Sequence, residues 1–219
     1  MYATDSKPWR ILCYGDSNTW GWVPSSMGAK RYDKANRWPG VLQTLLGDLY
    51  EVIEEGLGAR TTMFDDPRPE FPLRNGLESL PIILESHLPL KYVILMLGTT
   101  DTKEMFGLNV EEIANGMRQL VRTVKRMKLI EDGVPAKILV VVPPIVKEDA
   151  DFASKLFRGG TEKGAGLVET YARVAKEEEV FFLNPTNEVH VDPEEGVHLD
   201  NIGHRKLAKM IADKILAMN

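Results

Sequence analysis

Gly15-Asp16-Ser17-Asn18-Thr19 follows the apolar run Ile11 to Tyr14 and sets a serine hydroxyl where a predicted strand gives way to the next segment. A serine there can attack a carbonyl while free backbone N–H groups, its own included, meet the developing oxyanion. Taken alone, such a triplet is more often a turn with a helix cap, so a partner base is required. The chain holds four histidines, His87, His190, His198 and His204. His198 stands in Glu195-Gly196-Val197-His198, ahead of the last predicted helix, where an acid three residues earlier can turn back onto the ring's other nitrogen. That contact would fix the tautomer and stabilise the imidazolium during reaction. His87 closes one predicted helix and His204 lies inside the last, so both read as capping or surface residues. His190 is left without a role.

The elements that must position these residues alternate. Short apolar, branched runs predict strands at Arg10 to Tyr14, Tyr50 to Glu54, Tyr92 to Leu97, Lys137 to Val142 and Val180 to Leu183. Between them, amphipathic spacing predicts helices over Ala35 to Leu46, Gly76 to His87, Val110 to Met127, Glu162 to Glu178 and Asn201 to Ala217. In the third of these, Ile113, Met117, Leu120, Val121 and Val124 recur at helical steps and mark one buried stripe. The pattern is that of an α/β fold with helices on both faces of a five-stranded parallel sheet. Sites in such sheets form beyond the carboxyl ends of strands. That rule selects Gly15-Asp16-Ser17-Asn18, Gly56-Leu57-Gly58-Ala59, Gly98-Thr99-Thr100-Asp101 and the loop opened by Pro143-Pro144. Two long loops, Thr62 to Arg74 and Pro143 to Gly160, are expected to wall a substrate pocket, with Pro143 and Pro144 at its rim.

With 219 residues, 43% of them hydrophobic, the chain can bury a full core and is expected to form one domain, 1–219. A net charge of -5 without a basic run argues against nucleic acid as a partner. Cys13, the one cysteine, lies in an apolar run and reads as a small buried side chain in a reducing compartment. The N-terminus lacks a targeting pattern and no segment reaches membrane-spanning length, so a soluble, cytoplasmic protein is expected.

The blocks Gly15-Asp16-Ser17-Asn18-Thr19-Trp20-Gly21-Trp22-Val23-Pro24, Val52 to Thr62 and Met96 to Lys103, with the acid-x-x-His element near the C-terminus, resemble the ordered blocks of the SGNH (GDSL-type) hydrolases. More narrowly they are similar to the bacterial arylesterase and acyltransferase (perhydrolase-like) branch. The resemblance spans almost the whole chain. It implies a flavodoxin-like three-layer α/β/α sandwich and hydrolysis of small short-acyl or aryl esters through an acyl-enzyme, with transfer to alcohols or peroxide also familiar in the branch. A carbohydrate O-acetylesterase is an alternative. The resemblance implies Ser17 as nucleophile, His198 as base, and the N–H groups of Ser17 and Ala59 as oxyanion donors. It places Asp16, Trp20 and Trp22 at the substrate pocket, needs no cofactor, and suggests a homo-oligomer with contacts through Phe64, Phe71, Phe152 and Phe157.

Two positions depart from the family pattern. Thr100 occupies the place of the oxyanion asparagine, and a hydroxyl is shorter than an amide and must choose between donating and accepting. Weak activity is expected, or a binding protein if the loss is complete. Glu195 replaces the usual aspartate as orienting acid, with Asp192 and Glu194 as competitors because Pro193 and Gly196 obscure the local path. Gly56-Leu57-Gly58-Ala59-Arg60-Thr61 begins like a dinucleotide fingerprint but lacks the third glycine and the following helix. A metal site drawn from Asp192, Glu194, Glu195, His198 and His204 matches no ligand spacing.

Overall fold

The computed structural model describes residues 7–127, 130, 131 and 134–218. In chain order the elements are β1 (Trp9–Gly15), α1 (Ser17–Trp20), α2 (Trp38–Leu46), β2 (Tyr50–Gly56), α3 (Gly76–Ser86), β3 (Tyr92–Met96) and α4 (Val110–Arg126). There follow β4 (Ile130–Glu131), β5 (Val134–Pro135), β6 (Lys137–Val141), α5 (Gly160–Glu177), β7 (Phe181–Leu183) and α6 (Asn201–Ala217). The main sheet runs β2-β1-β3-β6-β7 and every neighbouring pair in it is parallel. Disregarding the small antiparallel β4–β5 pair, this is the flavodoxin-like order, with its switch point between β1 and β3.

Side chains alternate across a strand, so each strand feeds two cores. Leu12, Tyr14, Val93, Leu95, Ile138 and Val140 face α3, α4 and α5. Ile11, Cys13, Tyr92, Ile94, Leu139 and Val141 face α2 and α6. The result is the expected three-layer sandwich, and the stripe on α4 is buried at Ile113, Met117, Leu120, Val121 and Val124. No described helix is long and apolar enough to cross a membrane.

His204 departs from expectation: it is fully buried in α6 rather than at the surface. Arg37 gives α2 no side-chain cap, and His204 Nδ1 instead accepts the Trp38 N–H at 3.2 Å. A donor left over at one helix start is thus satisfied by a neighbouring helix. Burial, with a smaller contribution from the charge of His198, pushes the His204 imidazole down to about 3. His87 does close α3, and its Nε2 meets Glu55 Oε1 at 2.9 Å. His190 is exposed. Phe157 is buried, not a free surface aromatic, because it packs with Val146, Ala153 and Val197 beneath the second long loop.

Candidate active site

β1 delivers Ser17 to the sheet's carboxyl edge through a turn that only Gly15 permits. A Cβ at Gly15 would lie 2.0 Å from Thr19 Oγ1 and 2.8 Å from the Met96 carbonyl oxygen. Asp16 caps the short α1 by accepting the Asn18 N–H at 2.9 Å. Ser17 therefore opens a helix, and among the described residues its N–H donates to no protein acceptor.

Across the sheet edge, the loop before α6 supplies the partner. Gly196, at φ +88°, turns the chain so that Glu195 folds back under His198. Glu195 Oε1 lies 2.5 Å from His198 Nδ1, and its Oε2 accepts the Val197 and His198 N–H groups at 2.9 and 2.8 Å. His198 Nε2 then faces Ser17 Oγ at 2.9 Å. With Nδ1 donating to the carboxylate, Nε2 is the acceptor of the serine proton. Burial pushes the Glu195 carboxyl up, but the hydrogen bond and charge of His198 and the two backbone donors outweigh it and hold it below the usual carboxylate range. The competitors are placed elsewhere. Asp192 Oδ1 accepts the Glu194 and Glu195 N–H groups and so builds the turn, while Glu194 is exposed.

Two further contacts fix the relation between serine and histidine. Asn18 donates Nδ2 to the Val197 carbonyl at 3.2 Å and accepts the Leu199 N–H at 2.9 Å, clasping the backbone on both sides of His198. Trp22 stacks flat on the imidazole, with ring centroids 4.7 Å apart and planes inclined by 13°. Sequence reasoning missed Asn18, since its role lies in contacts about 180 residues away in the chain.

These groups open into a cavity of about 340 Å³ lined by Ser17, Ala59, Thr100 and His198 together with Trp20 and Trp22. Arg68, Phe71 and Arg74 from the first long loop, and Phe152, Leu156 and Phe157 from the second, complete the walls. Asp16 is not among the lining residues: it is buried, with Oδ1 in the α1 cap beneath the serine and Oδ2 without a hydrogen-bond partner among the described residues. Pro143 and Pro144 are buried and do not form the rim. The Ala59 N–H and Thr100 Oγ1 have no hydrogen-bond partner among the described residues. Asp101 holds this side of the cavity by accepting the Thr62 N–H at 2.9 Å and the Thr62 hydroxyl at 2.5 Å.

Below the cavity two buried acids sit close together. Burial is the main cause that pushes Asp16 up to about 6; the Asn18 N–H pulls it down and the charge of Asp101 adds to the rise. The Thr99 hydroxyl eases that rise without completing a hydrogen bond. Burial likewise pushes Asp101 up to about 6 against the Thr62 donors. A hydroxyl, an imidazole and a carboxylate in one hydrogen-bonded chain, with backbone N–H groups opening onto the same cavity, can together drive acyl transfer.

The profile of the GDSL-like lipase/acylhydrolase family matches residues 13–206. Among solved structures, a carbohydrate acetylesterase from Sinorhizobium meliloti is 40% identical, with a TM-score of 0.88 over 96% of this chain and 100% of that one. An aryl esterase from M. smegmatis is also 40% identical, with a TM-score of 0.88 over 96% of this chain and 100% of its own. A carbohydrate acetylesterase family member from Sinorhizobium meliloti is 35% identical, with a TM-score of 0.88 over 96% and 98% of the two chains. No curated protein matches the chain. By the extent of these matches, the chain belongs to the GDSL-like lipase/acylhydrolase family.

Proposed function

We propose that the chain, a carboxylic ester hydrolase by its family, cleaves small short-acyl or aryl esters through an acyl-enzyme on Ser17. The observation that carries this reading is the Ser17–His198–Glu195 hydrogen-bonded chain in the wall of a mostly apolar cavity.

In the proposed cycle, His198 Nε2 takes the proton as Ser17 Oγ attacks the ester carbonyl. The Glu195 carboxylate and the stacked Trp22 ring stabilise the imidazolium that forms. The oxyanion is met by the N–H groups of Ser17 and Ala59, with Thr100 Oγ1 as a third, weaker donor. His198 returns the proton to the leaving alcohol oxygen, and water repeats the sequence on the acyl-enzyme to release the acid. Trp20, Trp22, Phe71 and Phe152 offer apolar surface for an acyl or aryl group. An alcohol seated in place of water would accept the acyl group, so acyl transfer competes with hydrolysis. Solved relatives named for carbohydrate and for aryl esters support either arm of the substrate.

The test is p-nitrophenyl acetate hydrolysis by wild type and by Ser17→Ala. Turnover that disappears in the variant is expected. Turnover that persists in Ser17→Ala, or is absent from both, refutes the acyl-enzyme on this serine.

A further inference from the structure

The cavity wall carries Arg68, Arg74 and Lys103, and among the described residues no carboxylate lines it. The three cations are not equivalent. Arg68 is engaged by Asp66, with Nε at 2.8 Å from Oδ1 and a guanidinium nitrogen at 2.5 Å from Oδ2. Arg74 gives Nε to the Gly58 carbonyl at 2.8 Å and another nitrogen to the Pro72 carbonyl at 2.6 Å, and makes no ion pair among the described residues. Lys103 is only 7% exposed, yet among the described residues its Nζ makes no hydrogen bond and no ion pair. Its Nζ stands over the Phe157 ring, 5.7 Å from the centroid.

A buried ammonium is normally paired, because taking it out of water without a counter-ion is costly. Here burial lowers Lys103 to about 8, Arg68 adds to the fall, and Asp66, Asp16 and Asp101 act on it without forming a bond. Such a cost is recovered when a ligand brings the missing charge. A neutral ester that fills the cavity displaces water from the ammonium and leaves it unsatisfied, whereas an anionic one replaces that water with a charge-assisted hydrogen bond.

We propose that Lys103, assisted by Arg74, makes the cavity selective for esters that carry a carboxylate on the acyl or the alcohol arm. This deepens the esterase reading and rests on it. Lys103 is here a specificity-determining residue and takes no part in proton transfer.

Two matched pairs of esters test it: 4-acetoxybenzoate against 4-acetoxybenzamide, and monophenyl succinate against phenyl butyrate. The readout is the ratio of kcat/KM, anionic over neutral, in wild type, Lys103→Met and Lys103→Arg. One charge-assisted hydrogen bond predicts a fall of about tenfold in Lys103→Met for at least one pair, with Lys103→Arg retaining most of it. Ratios that change by less than about threefold in both pairs overturn the proposal. A lysine needed only for folding would lower both members of a pair together. Should Lys103→Met fail to fold, calorimetry on the Ser17→Ala protein decides: 4-hydroxybenzoate or succinate must bind more tightly than its amide counterpart, and equal binding overturns the anion site. Binding of the anion without turnover of any ester would overturn the esterase reading alone. Turnover of neutral and anionic esters at ratios indifferent to Lys103 would overturn only the anion site.

Discussion

Thr100 offers the cavity a hydroxyl with no partner among the described residues, where a longer amide would reach further toward a developing oxyanion. Removing one oxyanion donor from a serine hydrolase costs about a hundred- to a thousandfold in turnover. Thr100→Asn should therefore raise kcat for p-nitrophenyl acetate by about tenfold or more, and an unchanged or lower kcat would show that the two backbone donors suffice. Ala59 carries a different penalty at the same proposed oxyanion hole. Its φ of +63° is left-handed, a region in which a Cβ costs about 1–2 kcal/mol. Glycine relieves that strain but returns about 0.4–1 kcal/mol to the unfolded chain as entropy. The expected net effect of Ala59→Gly is a stability gain between zero and about 1.5 kcal/mol, read as a higher urea midpoint at unchanged m-value. Ser17 and His198 are legible from type and spacing, one three residues past a predicted strand and the other three residues ahead of a predicted helix, whereas Ala59 and Thr100 stand out only through the family resemblance. The sequence reads Lys103 as support for the block that ends on it, with no chemical step, because whether a lysine is paired depends on neighbours such as Asp66 and Phe157 that only the fold brings near.

At the scale of elements, α1 and the loop before α6 must hold a fixed relation, and Asn18 is the clasp between them. Asn18→Ala removes both bonds and lets the imidazole drift from Ser17 Oγ, so kcat should fall by about ten- to a hundredfold while KM moves little. Asn18→Asp keeps the acceptor for the Leu199 N–H, loses the donor to the Val197 carbonyl, and should fall between alanine and wild type. Equal activity of all three would show that β1 and α6 alone fix the geometry. The elements differ in how far the sequence announces them. α6 runs from Asn201 to Ala217 as expected because Asp200 caps it, accepting the Gly203 N–H at 2.7 Å, and its apolar steps continue to the end. α2 starts at Trp38 rather than Ala35, with Pro39 in its first turn, where a missing N–H does no harm. α1 has four residues, and β4 and β5 have two each, too few to display a period of 3.6 or of 2. Such short pieces are set by caps and tertiary contacts, which is why Asn18 was unreadable although it adjoins the most legible residue of the chain.

For the whole molecule, the buried titratable groups pull acid stability in opposite directions. Asp16 and Asp101 rise from 3.8 to about 6, so between those values the folded state holds protons that the unfolded chain has released. Their contribution to stability grows as pH falls from 6 toward 4 and is lost as pH rises through 6. His204 falls from 6.5 to about 3, so between those values the unfolded chain takes a proton that the folded state refuses. Its contribution is fully present above 6.5 and is lost as pH falls through that window. Each group changes stability by about 1.4 kcal/mol per pH unit inside its window. Two substitutions separate them. His204→Gln, whose amide oxygen can still accept the Trp38 N–H, should gain about 2 kcal/mol relative to wild type when pH is lowered from 7 to 5. Asp101→Asn should lose about 1 kcal/mol relative to wild type over the same interval, and more as Asp16 is released from its neighbour's charge. Urea unfolding at pH 7, 6 and 5 measures both differences. If His204→Gln follows wild type at every pH, the imidazole is reached by protons in the folded state and the α2–α6 contact that buries it is looser than the helix cap requires.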